Sequence, residues 1–176
     1  MRRIIVLLAA VPVLVWAQAE EQSDHWDQMR FFEGSWTGDI AGKAGLGKGE
    51  REYRFVMGET YLHCMNKAVF ETQEKNPEGE VHEDQGFFSY DSGRKKLVYR
   101  QFNIEGFVNQ YVLDSVTADG KTMVFTTEII ENVPQGFRAR LTFTKAGDDE
   151  FVEGFELAPP GREFGACIEN RWHRKK

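Results

Sequence analysis

Residues 136–145, GFRARLTFTK, decide the fold. Phe137, Ala139, Leu141 and Phe143 occupy every second position. Arg138, Arg140, Thr142 and Thr144 fill the positions between them. In an extended chain successive side chains point to opposite sides, so the four apolar residues share one face. A helical period of 3.6 would scatter them around the axis. The segment is therefore a strand with one face for a core. Its two arginines belong on the solvent side.

The same period runs through the chain. In residues 121–130, KTMVFTTEII, Met123, Phe125, Thr127 and Ile129 alternate with Val124, Thr126, Glu128 and Ile130. Turn signals separate such runs at short intervals, among them NPEGE (76–80), DSGRKK (91–96), NIEG (103–106), TADGK (117–121) and APPGRE (158–163). Asn, Asp, Gly and Pro supply the backbone conformations that tight turns need. The predicted strands span 36–41, 48–57, 60–71, 80–90, 96–103, 107–115, 122–131, 136–144, 150–157 and 163–173. Short connections favour an antiparallel meander. Closing such a sheet removes its two unpaired edges. The expected fold is all-β, an antiparallel up-and-down β-barrel of about ten strands. A two-sheet sandwich is the alternative.

Bulk properties narrow the function. Residues 1–19, MRRIIVLLAAVPVLVWAQA, combine a basic start, an apolar stretch and a small-x-small end. That pattern reads as a signal peptide cleaved after Ala19, with a periplasmic or secreted mature protein. The apolar stretch falls short of the ~20 residues of a membrane span. Residues 20–176 are then a single domain. The full chain of 176 residues has a net charge of −6, and residues 20–176 alone carry −8. Nucleic acid as a partner is excluded on this basis, because its recognition needs a basic surface. Cys64 and Cys167 are the two cysteines. They form a disulfide or serve as small apolar residues on strands.

Enzyme and metal motifs fail on inspection. GKAGLGKG (42–49) approaches a phosphate-binding loop but ends in Gly49 and leads into a strand pattern, where that loop requires a hydroxyl residue and a helix. It reads as a hairpin. HEDQG (82–86) lacks the second histidine of a zinc-protease helix. His63 and Cys64 are adjacent and so face opposite sides of a strand. No catalytic residue, metal ligand set or resident cofactor is assigned. Polar residues inside the barrel remain as ligand contacts, and the candidates are Tyr61, His63, Tyr99, Arg100 and Tyr111. Arg171 is a further candidate. Tyr61 and His63 share a face of their strand, whereas Tyr99 and Arg100 do not.

One further stretch, FFEGSWTGDI (31–40), bears on the barrel's closed end. A short helix over 23–32 is expected before it, with Ser23 as cap and Trp26, Met29 and Phe32 on one side. Gly34-Ser35-Trp36 then forms a G-x-W at the first strand. This arrangement resembles the calycin superfamily, the lipocalins and their relatives. The resemblance implies that Trp36 plugs the closed end beneath an arginine of the last strand. NRWHRKK (170–176) offers Arg171 and Arg174, and Arg171 is the one assigned. Gly34 is expected to be required at the turn into the strand.

GEREYRFVMGETYLHCMNKAVF (49–70) and DQGFFSYDSGRKKLVYRQFNIEGFVNQYVLD (84–114) extend the likeness to exported bacterial lipocalin-like proteins of unknown function. More distantly the pattern is similar to nitrobindin, a ten-stranded haem barrel resembling fatty-acid-binding proteins. Nitrobindins hold haem through a histidine near the start of the last strand. The corresponding REFGACIEN (162–170) has Cys167 and no histidine. The reading is an exported, non-catalytic barrel holding a largely apolar, lipid-like or aromatic molecule. The alternatives are a haem protein, an enzyme with residues converging inside the barrel, and a filled barrel that acts through its outer surface.

Overall fold

The computed structural model describes residues 25–42 and 45–176. Ten strands follow one another along the chain: β1 (Gly34–Gly42), β2 (Gly45–Val56), β3 (Tyr61–Phe70), β4 (Glu80–Asp91), β5 (Lys96–Asn103), β6 (Val108–Val116), β7 (Thr122–Glu131), β8 (Arg138–Gly147), β9 (Glu150–Ala158) and β10 (Gly165–Arg174). Each pairs antiparallel with its neighbours in sequence, and β1 pairs with β10 from Trp36↔Arg174 to Ala41↔Glu169. The sheet is a closed barrel with no free edge. The expected signal segment, residues 1–19, and the proposed cap Ser23 lie outside the described residues. Among the described residues no helix is long and apolar enough to cross a membrane.

Alternation sets the interior as expected for β8, where Ala139, Leu141 and Phe143 are buried. Arg138 and Arg140 flank the ring of Phe164 at 4.9 and 4.3 Å. In β7 strict alternation fails. The register shifts opposite Gln110 and Tyr111, so Ile130 packs against the core and Ile129 is left exposed. A bulge inverts the faces beyond it, which single-strand periodicity does not reveal.

The interior has two halves. At the end where β1 begins and β10 finishes, aromatic side chains fill the barrel. Trp26, Met29, Phe32, Trp36, Tyr53, Phe88, Phe125, Phe143 and Phe151 are all buried in one cluster. Of the expected helix over 23–32, the described part is a turn followed by a single 3-10 turn, Arg30–Phe32. The packing role of its apolar side chains is nevertheless present, since Trp26, Met29 and Phe32 are 1–3 % exposed.

Trp36 sits within this plug. Its Nε1 donates to the Phe32 carbonyl at 2.7 Å, and its ring meets Phe151 edge-on at 4.8 Å. The cation over the indole is Arg174, 4.2 Å from the ring centre, and not Arg171. Arg174 also donates to the carbonyls of Glu33 (2.6 Å) and Phe31 (2.7 Å), so it clamps the turn that leads into β1. Arg171 lies on the outer face and pairs with Glu150. Alternation explains the correction: Trp172 is fully buried, so Arg171 and His173 must point outward and Arg174 inward. Gly34 has φ +116°, and an added Cβ would stand 3.2 Å from Arg174 Nη1. Only glycine adopts that backbone without strain.

Arg174→Ala is expected to destabilise the protein by about 2 kcal/mol, since it removes a cation–π contact and two carbonyl hydrogen bonds. Arg171→Ala, which breaks an exposed pair, is expected to change stability by no more than about 0.5 kcal/mol. Urea unfolding of the two variants side by side checks the assignment, and equal effects would refute it.

Candidate functional site: a half-polar cavity

The glycines of β1 and β2 begin the other half. Gly38 and Gly49 face each other across the β1–β2 pair. A Cβ on Gly49 would lie 2.7 Å from the Trp172 ring, and one on Gly38 would lie 3.1 Å from it. The bare backbone is the slot into which Trp172 fits. Trp172 then supports a buried ion pair. Arg51 Nη1 donates to Glu153 Oε1 at 2.7 Å, and the Arg51 guanidinium lies 4.3 Å over the Trp172 ring. Trp172 Nε1 donates to Glu153 Oε2 at 3.1 Å.

From Arg51 a chain of hydrogen bonds crosses the barrel. Arg51 Nε donates to Asn66 Oδ1 (3.1 Å), and Asn66 Nδ2 donates to Asp84 Oδ2 (2.7 Å). Gln101 Nε2 donates to Asp84 Oδ1 (2.9 Å), and Asn109 Nδ2 reaches Gln101 Oε1 (3.4 Å). These residues come from β2, β3, β4, β5 and β6, each from an inward position. The belt satisfies the buried charges, as low-dielectric burial requires.

Beyond the belt a cavity of about 610 Å³ opens towards the end where β4 starts and β5 finishes. Its wall is two-sided. Ile40, Leu141, Phe155, Leu157 and Ile168 line the β1, β8, β9 and β10 side with Glu153, and on the β2 to β6 side the polar belt shares the wall with Ala68, Phe70 and Phe107. Asn170, 7 % exposed, also lines it, and the Asn170 Oδ1 has no hydrogen-bond partner in the protein. A buried acceptor left unpaired carries a free-energy cost that a ligand donor would offset.

Electrostatics define what the cavity can do. Burial opposes the Arg51 charge, but the Glu153 carboxylate beside it outweighs that and keeps the guanidinium protonated. Burial also pushes Asp84 up, yet the His82 imidazole, the Arg51 charge and the amides of Gln101 and Asn66 hold it below its usual range. His82 is raised to about 9, chiefly by its contact with Asp84 and further by Glu105, against partial desolvation. It is a cation at neutral pH and not a free base. The Cys64 thiol is pushed up to about 12 by burial, so it is no nucleophile. The interior offers fixed charges and hydrogen-bonding groups held in place.

The expected ligand residues fare differently. Tyr61 and His63 point outward, and His63 stacks on Phe87 at 4.5 Å. The reason is the β2–β3 register, Tyr53↔Cys64, which turns Leu62, Cys64 and Asn66 inward. Arg100 is also on the outer face, donating to Gln110 Oε1 at 3.1 Å and Ser89 Oγ at 3.3 Å. Tyr99 and Tyr111 do face inward. They belong to the aromatic core, Tyr99 lying flat on Phe88 at 4.0 Å, and neither lines the cavity. Sequence reasoning missed Arg51, Asn66, Asp84, Gln101, Glu153 and Asn170. The available signal was polar residues in phase with apolar ones, as in Leu62, Cys64, Asn66, Ala68. Cys64 and Cys167 are both free thiols, one in the core and one at the bulge of β10.

Haem held as in nitrobindins does not fit these residues. The start of β10 presents Cys167, whose Sγ is engaged with the Gly165 carbonyl at 3.5 Å. His173, at the far end of β10, lies outside the barrel near Glu150.

Arg51→Met is expected to cost about 3–5 kcal/mol, because it leaves the Glu153 carboxylate buried and unpaired. Adding Glu153→Met should recover part of that loss. A double-mutant cycle by urea unfolding reads the coupling, and strictly additive effects would show that the two groups do not act as a pair. His82 gives a pH signature. Its folded pKa of about 9 lies above the ordinary 6.5, so its contribution is complete below pH 6.5 and is lost as pH rises through 9. The stability difference between wild type and His82→Gln should shrink across that window. A difference independent of pH would contradict the assigned contacts with Asp84 and Glu105.

No protein-family model matches the chain, and no curated protein matches it. Among solved structures the barrel is similar to Rv2717c from M. tuberculosis, with a TM-score of 0.68 and 17 % identity over 88 % of this chain and 99 % of that one. A second solved structure, EF1p2_mFAP2b bound to DFHBI, gives a TM-score of 0.46 and 7 % identity over 86 % of this chain and 100 % of that one. The first likeness is one of fold: the chain is an all-β, closed antiparallel barrel of ten strands.

Proposed function

We propose that this chain is a small-molecule carrier or sensor, exported by its first 19 residues, that holds its ligand in the barrel cavity without catalysis. One observation carries the reading: a cavity of about 610 Å³ with an apolar wall on one side and, on its floor, the unpaired acceptor of Asn170. The volume lies in the range of small-molecule pockets, which combine apolar walls with a few fixed polar groups. The expected ligand was largely apolar. The polar belt refines this to a molecule with an apolar face and a hydrogen-bond donor at one end. The donor meets Asn170 Oδ1, and the apolar face lies on Ile40, Leu141, Phe155, Leu157 and Ile168.

Nile red, a neutral apolar dye, is expected to bind with a blue-shifted, saturable fluorescence rise. Ile168→Trp, which fills the cavity from its apolar wall, should weaken that binding at least ~10-fold while leaving the unfolding midpoint nearly unchanged. Native mass spectrometry of the freshly purified protein identifies any carried molecule. No dye binding, or dye binding indifferent to Ile168→Trp, would overturn the cavity as the site.

A further inference from the structure

At the rim of the cavity three metal-ligating side chains converge. Glu80 and His82 occupy alternate positions of β4, so both face the barrel interior at its mouth. Glu105 comes from the turn between β5 and β6. Each offers one ligand atom, and the three atoms lie within 4.8 Å of one another. We propose that Glu80, His82 and Glu105 form a divalent-cation site at the barrel mouth.

The turn that carries Glu105 is fixed from three sides. Gly106 N–H donates to the Asn103 carbonyl at 2.8 Å, and Ile104 N–H donates to the Glu83 carbonyl of β4 at 3.0 Å. Asn132 Nδ2 donates to the Gly106 carbonyl at 2.8 Å. These bonds hold the turn against β4 and bring Glu105 Oε1 to 2.7 Å from His82 Nδ1.

His82 Nε2 lies 3.4 Å from Asp84 Oδ2. Asp84 is itself held by Asn66 and Gln101, so it is a rigid, buried carboxylate behind the imidazole. A carboxylate that accepts the N–H of one ring nitrogen orients the other towards a metal, a common arrangement behind histidine ligands. Here it leaves Nδ1 aimed at the two glutamates. Two ligand atoms each about 2.0–2.2 Å from one metal stand roughly 3–3.5 Å apart, so Glu105 Oε1 swings out from its 2.7 Å contact with Nδ1 while Glu80 rotates in, as exposed glutamates can. On binding, Nδ1 releases its proton to solvent, and Glu105 changes from hydrogen-bond acceptor to ligand.

Two carboxylates and one imidazole match zinc or manganese better than a soft cation or calcium. Three protein ligands leave coordination positions free. Since Glu80 and His82 line the cavity, those positions open towards its contents. The site stands on its own ligands and does not depend on an organic ligand being bound.

Titration calorimetry of the full chain with zinc chloride, and separately with manganese chloride, tests the site. The expected result is saturable one-to-one binding of at least one of the two. Glu80→Gln and Glu105→Gln should each weaken it at least ~10-fold, and His82→Gln should abolish it. The two glutamates are exposed, so those variants keep the fold, which near-ultraviolet circular dichroism verifies. Absence of saturable binding by both metals would overturn the proposal. So would binding of equal strength in all three variants, which would place the metal elsewhere on the chain.

Discussion

The interior is organised by one ion pair. Arg51 and Glu153 face each other across the barrel at 2.7 Å, both nearly out of water, with the Trp172 ring beneath the guanidinium. A pair so buried is stable only when its remaining hydrogen-bonding capacity is met. Tyr53, Asn66 and Trp172 meet it. Those partners in turn fix their own neighbours, so side chains from β2 to β6, β9 and β10 meet in one layer. Apolar packing accumulates on one side of that layer, and the cavity opens on the other.

The closed end follows from aromatic packing and a single clamp. Large rings fill the volume, and Arg174 ties the last strand to the turn before the first. That contact joins the first and last strands where the barrel closes. Gly34 permits it, because its left-handed backbone bends the chain at the place where Arg174 approaches. The floor is therefore set independently of whatever the open end holds.

Polar groups at the open end are graded by burial. Arg51, Glu153 and Asp84 are sealed and satisfied, Asn170 is sealed and unsatisfied, and Glu80 and Glu105 stand in solvent at the rim. His82 spans the two zones, with one nitrogen towards Asp84 and the other towards Glu105.

Local pattern determined the elements. Alternation and turn chemistry are properties of neighbouring residues, so ten strands and their boundaries were legible within a few positions. Gly34 and Trp36 were marked by the resemblance that the G-x-W spacing carries, not by alternation. Side-chain facing was legible only where the two faces of a strand differ. In β8 they do. In β3 the face of Tyr61, His63 and Met65 and the face of Leu62, Cys64, Asn66 and Ala68 both mix polar and apolar residues, and pairing with β2 decides between them. Arg171 and Arg174 differ by odd spacing, and the inward Trp172 settles which one reaches Trp36. The charged belt was illegible for a stronger reason. Arg51 and Glu153 are 102 positions apart, and each alone reads as a solvated residue. Only closure of the sheet sets them face to face, where the loss of water makes each the other's necessary partner.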